Sequence, residues 1–195
     1  MVQREVSPRR GQARTDAILD AALELVEEVG YSRASVDAIA IRARASKMTV
    51  YRRWPNKAEL VAEALRRQSE GSVPRIADTG SLRSDLIATV EAIVLALHGG
   101  SRTSLLSLTE AVREDPNLRD LIRAQIEDRC AVDAAVICEN AAARGERVDP
   151  GLGPLALRIT VAHLFTTTLL HGQPPAEPER TMLVDAVLLP MLHVS

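Results

Sequence analysis

The chain has 195 residues, of which 46% are hydrophobic and 2% aromatic, so it can bury a sizeable core built mainly from aliphatic side chains. No segment alternates polar and apolar residues as a β-strand would, so this pattern and the aliphatic composition together predict an all-α protein. The net charge of −2 means that any binding of nucleic acid must depend on a local basic patch. We find no signal peptide, lipidation motif or apolar run of membrane-spanning length, which predicts a cytoplasmic protein without a membrane partner.

The N-terminal 13 residues carry three arginines and lack an apolar stripe. Residues 1–13 are therefore predicted to form a flexible basic arm, either a plain tail or a segment that lies on phosphates or in a minor groove of DNA. The first helix is predicted over residues 15–29 and ends at Gly30, a residue that suits a left-handed helix end. Its buried face is expected to consist of Ile18, Ala22, Leu25 and Val29.

Residues 35–57 are predicted to form two short helices joined by a tight turn. Ser35 and Ser46 can each accept a hydrogen bond from a backbone N–H of the following turn, so each is expected to cap a helix. Pro55 ends the second helix because it has no backbone N–H to donate. The apolar residues expected to face inward recur at helical spacing: Val36, Ile39, Ala40, Ala43, Val50 and Trp54.

The turn between these two helices is assigned to Arg44 and Ala45. If the backbone of Arg44 is left-handed, its side chain costs about 1 kcal/mol, because a Cβ crowds the following carbonyl oxygen there. Charge is the second signal in this segment: residues 32–57 contain seven basic residues and one acid, Asp37, for a local charge of +6. A basic patch in a chain of negative net charge is typical of a DNA-binding surface.

The outward face of the second short helix carries residue types that contact DNA. The first residues of a recognition helix meet base edges, and the cations that flank it meet phosphates. Met48 can contact a thymine methyl but cannot form a bidentate hydrogen bond to any base, so the base sequence of the site is not predicted. The residues of this face are Lys47, Met48, Thr49, Arg52 and Arg53.

Three segments carry a family resemblance. They are Arg-x-Asp-Ala-Ile-Leu-Asp-Ala-Ala-Leu-Glu-Leu-Val from residue 14, Ser-Val-Asp-Ala-Ile-Ala from residue 35, and Ser-Lys-Met-Thr-Val-Tyr-Arg-Arg-Trp-Pro-Asn-Lys-Ala-Glu-Leu from residue 46. Over roughly residues 14–65 the chain resembles the N-terminal domain of the TetR family of bacterial transcriptional repressors. The turn position that is commonly glycine in that family is Arg44 here.

The resemblance implies roles for individual residues. Lys47, Met48 and Thr49 would face the major groove, whereas Tyr51, Arg53 and Lys57 would hold phosphates. Ser35 would begin the helix that crosses the DNA backbone. Arg52 is added as a DNA contact on its chemistry alone.

A helix-turn-helix domain is thus predicted over residues 14–56, and an effector-binding and dimerisation domain over residues 57–195. The second domain begins with a connector helix at 57–68. Five more helices are predicted at residues 81–98, 101–114, 116–144, 152–171 and 178–193, which gives about nine in all. Asp115 is expected to cap the long helix, with Pro116 at its first position.

The last two predicted helices are apolar on more than one face, which indicates a partner surface. The resemblance implies that they pair with their copies in a homodimer. It also implies that the second domain binds a small effector, unknown from sequence, that alters the separation of the two recognition helices. The candidate pocket residues are Leu105, Leu108, Thr109, Val112, Ile126, His163, Phe165 and Thr167, with His171 as a further polar group.

The sequence therefore predicts a ligand-responsive dimeric repressor that binds a palindromic, double-stranded DNA operator. Two alternatives stay open: a regulator or activator that needs no ligand, and a metal or redox sensor that uses Cys130, Cys138 and His163. The two cysteines are otherwise expected to be core thiols. We find no catalytic motif and no cluster at metal-ligand spacing, so neither an enzyme nor a cofactor is expected.

Overall fold

The computed structural model describes residues 8–72, 77–98 and 105–193. Within these ranges the prediction of an all-α fold is confirmed, and the β pairing there is limited to an isolated bridge between Val148 and His193. The elements are α1 (Pro8–Val29), α2 (Val36–Arg42), α3 (Lys47–Tyr51), α4 (Lys57–Ser72), α5 (Leu82–His98), α6 (Leu105–Glu114), α7 (Pro116–Ala143), α8 (Gly153–His171), α9 (Glu177–Leu183), a π-helical turn (Val184–Leu188) and α10 (Leu189–Leu192).

The N-terminal arm is shorter than predicted. Helix α1 begins at Pro8, so residues 8–13 are helical, and residues 1–7 of the predicted arm lie outside the described part of the chain. Proline suits a first helical position because the N–H it lacks would have no partner there. The first turns are held by Thr15, whose hydroxyl donates to the Gly11 carbonyl at 3.1 Å.

The described residues divide into two compact units. Unit 1 contains residues 8–67 and 105–122, and unit 2 contains residues 68–72, 77–98 and 123–193. This differs from the predicted division at residue 57, because α6 and the start of α7 bury apolar side chains in the core of unit 1. Ala111 and Leu118 lie in the same cluster as Ile18 of α1, and Val112 packs against it.

The core of unit 1 is formed by the inward faces of α1 to α4. Helix α1 packs against α2, and the side chains of Ile18, Ile39 and Leu60 are fully buried. Val50 and Trp54, which were expected to face inward, are buried in the same cluster. Packing of these faces, more than the intrinsic stability of helices as short as α2 and α3, is what holds the segment in place.

The core of unit 2 is formed by α5, α7, α8 and the C-terminal helices. Its fully buried side chains include Leu86, Ile137, Leu164 and Leu188. Helix α8 starts very close to α7, since a Cβ at Gly153 would lie 3.0 Å from the Ala134 Cβ. Helix α8 is long and apolar enough to span a membrane, but the core helices of globular proteins meet the same criteria. Here Leu164 and its neighbours along one face of α8 are buried in unit 2.

A partly buried ion-pair network joins the start of α5 to the end of α7. Arg144 donates to Asp85 at 2.8 Å and to Glu146 at 2.8 Å, and it also pairs with Asp78. Asp85 is fully buried and accepts two more bonds from Thr79, at 2.8 Å from its N–H and 2.6 Å from its hydroxyl. Burial alone would raise the pKa of Asp85, but these hydrogen bonds hold it below its usual value.

The last predicted helix, residues 178–193, is interrupted. A π-helical turn separates α9 from α10, and the Leu189 N–H donates to the Val184 carbonyl five residues earlier. Pro190 follows immediately and has no N–H to continue an α-helical ladder. Leu183 and Leu188 are five residues apart across this wider turn, and both are buried.

Candidate DNA-binding surface

Two serine caps define the helices of the predicted DNA-binding segment. The Ser35 hydroxyl oxygen accepts a bond from the Ala38 N–H at 3.1 Å, and the Ser46 hydroxyl oxygen accepts from the Thr49 N–H at 3.2 Å. Both caps were predicted and are confirmed. The Ser46 and Thr49 hydroxyls also bond to each other at 2.8 Å, so the first turn of α3 is fixed from both ends.

The turn between α2 and α3 has the geometry of a Schellman helix end. The Arg44 N–H donates to the Ile41 carbonyl at 3.1 Å, and the Ala45 N–H donates to the Ala40 carbonyl at 2.9 Å. Arg44 occupies the left-handed position of this motif, with φ of 51°. A side chain at that position costs about 1 kcal/mol relative to glycine, so the turn is formed in spite of local strain.

The orientation of α3 is set by two buried side chains. Val50 and Trp54 are buried in unit 1, and the Trp54 indole N–H donates to a Glu63 carboxylate oxygen at 2.8 Å. With these two residues facing inward, the side chain of Met48 is 76% exposed and that of Tyr51 is 46% exposed. The predicted inward and outward faces of α3 are therefore the observed ones.

Several of the predicted DNA-contacting cations also have partners within the subunit. Lys47 forms an ion pair with Asp37. Arg53 donates to the Thr15 hydroxyl at 2.7 Å and lies 3.4 Å from a Glu63 carboxylate oxygen. Lys47 and Asp37 are both exposed and exchange partners easily, whereas the Arg53 contacts reach the buried Thr15 and the part-buried Glu63.

Lys57 is held more firmly. Its ammonium donates to the Tyr31 carbonyl oxygen at 2.7 Å and lies 3.9 Å from the centroid of the Tyr31 ring. The pKa of Lys57 lies below its usual value, because the effect of burial outweighs the opposing effect of the Asp115 and Glu114 carboxylates. An ammonium group has three N–H donors, so this contact leaves donors for another acceptor.

Two residues near this surface, Tyr31 and Ile41, were assigned no role from the sequence. Tyr31 is buried, and its hydroxyl donates to Asp115 at 2.6 Å; that hydrogen bond contributes most to lowering the pKa of Asp115. Ile41 is 76% exposed although it is a large apolar residue. A sequence signal existed for Ile41, since it falls outside the buried stripe of α2. The Tyr31 contact joins residues 84 apart, so no local pattern could show it.

The predicted effector-pocket residues are divided between the two units. Leu105, Leu108, Thr109 and Val112 belong to unit 1, and Ile126, His163, Phe165 and Thr167 belong to unit 2. Within unit 1, the Thr109 hydroxyl donates to the Leu105 carbonyl at 2.7 Å and is internally satisfied. Within unit 2, the His163 Nε2 atom is 3.9 Å from a Glu179 carboxylate oxygen. The assignment of an effector site to these residues stays a prediction.

The two cysteines are buried free thiols, as expected for core residues. Burial raises the pKa of Cys130 to about 11 and also raises that of Cys138, so both are protonated near neutral pH. Among the residues that the structure describes, no group of three or more His, Cys, Asp or Glu side chains could hold a metal ion.

Unit 2 also has an exposed apolar face on its C-terminal helices. Large apolar side chains recur along α8 and continue onto α9 and the π-helical turn. Burying such a face requires another surface, because contiguous apolar patches on isolated subunits are usually small. The exposed residues are Leu155, Ile159, Leu170, Met182 and Val187.

Comparisons with known proteins agree with this architecture. Residues 18–64 match the family model of bacterial regulatory proteins of the tetR family, and residues 76–187 match that of the tetracyclin repressor-like C-terminal domain. The chain is 34% identical to an HTH-type transcriptional regulator of Mycobacterium tuberculosis, over 98% of this chain and 94% of that protein. It is 35% identical to the DNA-binding transcriptional repressor TetR of Mycobacteroides abscessus, over 94% and 96%.

Among solved structures, the flavonoid-responsive regulator FrrA has a TM-score of 0.65 at 21% identity, covering 92% of this chain and 97% of that one. At this identity the similarity shows the fold alone. The two family models and the full-length relatives go further. The helix-turn-helix of unit 1 is the DNA-binding segment of a transcriptional regulator, and the chain belongs to the TetR family.

Proposed function

We propose that this protein is a ligand-responsive, dimeric transcriptional repressor that binds a palindromic operator in the cytoplasm of a bacterium. The observation that carries the proposal is the face of α3. Its inward side is fixed by Val50 and Trp54, and its outward side presents Lys47, Met48 and Tyr51 to solvent. A short, rigidly held helix with polar and basic residues outward has the form of a recognition helix.

Within this proposal, Lys47, Met48 and Thr49 read base edges in the major groove. Met48 supplies an apolar contact, which suits a thymine methyl, and Lys47 can donate to guanine acceptors once it leaves Asp37. The Thr49 hydroxyl already bonds to Ser46, and its two remaining hydrogen-bonding positions are available to DNA.

The remaining proposed contacts position the domain on the phosphate backbone. Tyr51, Arg52, Arg53 and Lys57 lie in or just after α3 and the start of α4, and Ser35 begins α2. Arg53 has five N–H donors and can keep its bond to the Thr15 hydroxyl while it donates to a phosphate. Such contacts set register and orientation and make binding sensitive to salt.

A dimer follows from the energetics of this small reading surface. Helix α3 has five residues, and each mismatched base pair costs about 1 to 3 kcal/mol, so one subunit discriminates poorly. Two copies roughly double the sequence-specific part of the binding free energy and require half-sites about 34–36 Å apart. We assign the dimer contact to the exposed apolar face of α8, α9 and the π-helical turn, because this face otherwise leaves large side chains in water.

Repression and ligand response are supported by the relatives. The M. abscessus relative is a repressor, which favours the same direction of regulation here, and FrrA, which shares the fold, is flavonoid-responsive. An effector can release DNA only by binding the DNA-incompetent conformation more tightly than the competent one. We place its site in unit 2, at the predicted pocket residues of that unit: Ile126 of α7 and His163, Phe165 and Thr167 of α8.

The test is a gel-shift of the purified protein against the intergenic DNA upstream of its own gene. The wild type is compared with a variant in which Lys47, Thr49 and Arg53 are all alanine, and with Arg147→Ala, which removes an exposed cation from unit 2. We expect tight, salt-sensitive binding that the triple variant loses and Arg147→Ala keeps. Circular dichroism confirms that the triple variant is folded.

If the wild type does not bind this intergenic DNA, bound sequences are selected from random DNA. Failure to select any sequence would refute the DNA-binding assignment. Once an operator is known, the bound complex is screened with small molecules. Release by none of them, together with transcription that rises when the protein is present, would favour an activator that needs no ligand.

A further inference from the structure

We propose that Arg44, in the turn between α2 and α3, binds one DNA phosphate in each half-site. This inference rests on the proposed DNA-binding function and adds a contact outside the recognition helix. The backbone of Arg44 is strained, and strained residues cluster at functional sites.

At the other left-handed positions of the described residues, the amino acid is glycine. Gly30, Gly80, Gly145 and Gly172 have φ values of 81°, 97°, 82° and 73°. Among the described residues, Arg44 alone has a positive φ with a side chain present. Glycine would suit the Schellman turn equally well and without strain, so an arginine here needs another explanation.

The Arg44 side chain makes no hydrogen bond, ion pair or ring contact with the residues that the structure describes. It is exposed, and no hydrogen bond or ion pair involves its guanidinium. Its neighbours differ in this respect: Arg42 donates twice to Glu28, both at 2.6 Å, and Lys47 pairs with Asp37. Arg44 is therefore a free guanidinium that is available to a partner from outside the subunit.

The position of Arg44 in the chain indicates what that partner is. It lies two residues before Ser46, which caps α3, and directly after the helix that crosses the DNA backbone in helix-turn-helix proteins. When a recognition helix lies in the major groove, the helix before it crosses the DNA backbone, so we infer that the turn between α2 and α3 lies near phosphates. A guanidinium binds a phosphate through two parallel hydrogen bonds, which makes arginine the residue suited to this place.

The experiment measures thermal stability and operator binding at several salt concentrations for the wild type and four variants. Arg44→Gly removes charge and strain together, and Arg44→Asn is a second neutral variant that tolerates the left-handed region. Arg44→Lys keeps the charge. Arg147→Ala removes an exposed cation from the turn before α8 and controls for net charge.

We expect Arg44→Gly to melt higher than the wild type, by about 2 to 4 °C, because strain is relieved. The same variant should bind the operator at least tenfold more weakly. The slope of log affinity against log salt should fall by about 1.8, since each of two phosphate contacts contributes about 0.9. Arg44→Asn should show the same loss, Arg44→Lys should keep most of the slope, and Arg147→Ala should match the wild type.

Wild-type affinity and slope in both neutral variants would overturn the proposal while leaving the DNA-binding function intact. A loss that varies with operator sequence at an unchanged slope would mean a base contact, and would overturn the phosphate assignment. If the wild type bound no DNA even after selection, the proposed function would fail first, and the role of Arg44 with it.

Discussion

Replacing Asp37 with asparagine should tighten DNA binding. Asp37 pairs with Lys47, and the two side chains are 47% and 60% exposed. It is also the only acidic residue in the 32–57 segment, which contains seven basic residues. The substitution keeps the shape of the side chain, frees Lys47 for the major groove and removes a negative charge close to the phosphates.

The size of the effect follows from the exposure of the pair. Exposed ion pairs contribute about 0.2 to 1 kcal/mol, so each subunit gains at most about 1 kcal/mol when Lys47 no longer has to leave its partner. For about 0.5 kcal/mol per subunit, a dimer gains about 1 kcal/mol, or roughly a fivefold lower Kd. Stability should fall slightly, by less than about 1 kcal/mol, because Asp37 also lies in the first turn of α2.

Fluorescence anisotropy with a labelled operator at fixed salt measures this change directly. Asp133→Asn is the matched control, since it removes the same charge and breaks an ion pair with Arg129 on α7, in unit 2. The control should bind as the wild type does. Weaker binding by Asp37→Asn would refute the reasoning and show that Asp37 positions Lys47 instead of competing for it.

Three further outcomes are expected. Trp54→Ala should destabilise unit 1 by about 3 to 5 kcal/mol in urea unfolding, because the indole is fully buried; a loss below 1 kcal/mol would contradict its place in the core. The folded-state pKa of Asp115 is lowered mainly by the Tyr31 hydroxyl, so its contribution to stability is present above the unfolded pKa and is lost as pH falls through the folded one. Tyr31→Phe should make unfolding less dependent on pH below about 4, and an unchanged acid profile would exclude this linkage. Cys130 and Cys138 are buried with raised pKa values, so a thiol reagent at pH 7 should modify them far more slowly in the native protein than in denaturant; rapid native reaction would revive the redox-sensor alternative.

The sequence alone determined those features that depend on residues close together in the chain. The caps at Ser35 and Ser46, the turn at Arg44 and the inward placement of Val50 and Trp54 all follow from spacings of four residues or fewer. Hydrogen bonds between a cap and its helix, and the helical period of the apolar residues, act over that range. The same local pattern carried the family resemblance.

Tertiary structure alone decided which remote faces meet. Helix α6 follows α5 in sequence, yet Ala111 is buried with the N-terminal helices, and the Tyr31 hydroxyl bonds to a carboxylate 84 residues away. The π-helical turn before Pro190 likewise belongs to the packing of unit 2, where Leu183 and Leu188, five residues apart, are both buried. From the sequence, an apolar stripe is expected to be buried and a lone charge to be paired, but the partner of each depends on the packing of the whole unit. The hydrophobic effect has no direction, and an ion pair forms with whichever opposite charge the fold brings near.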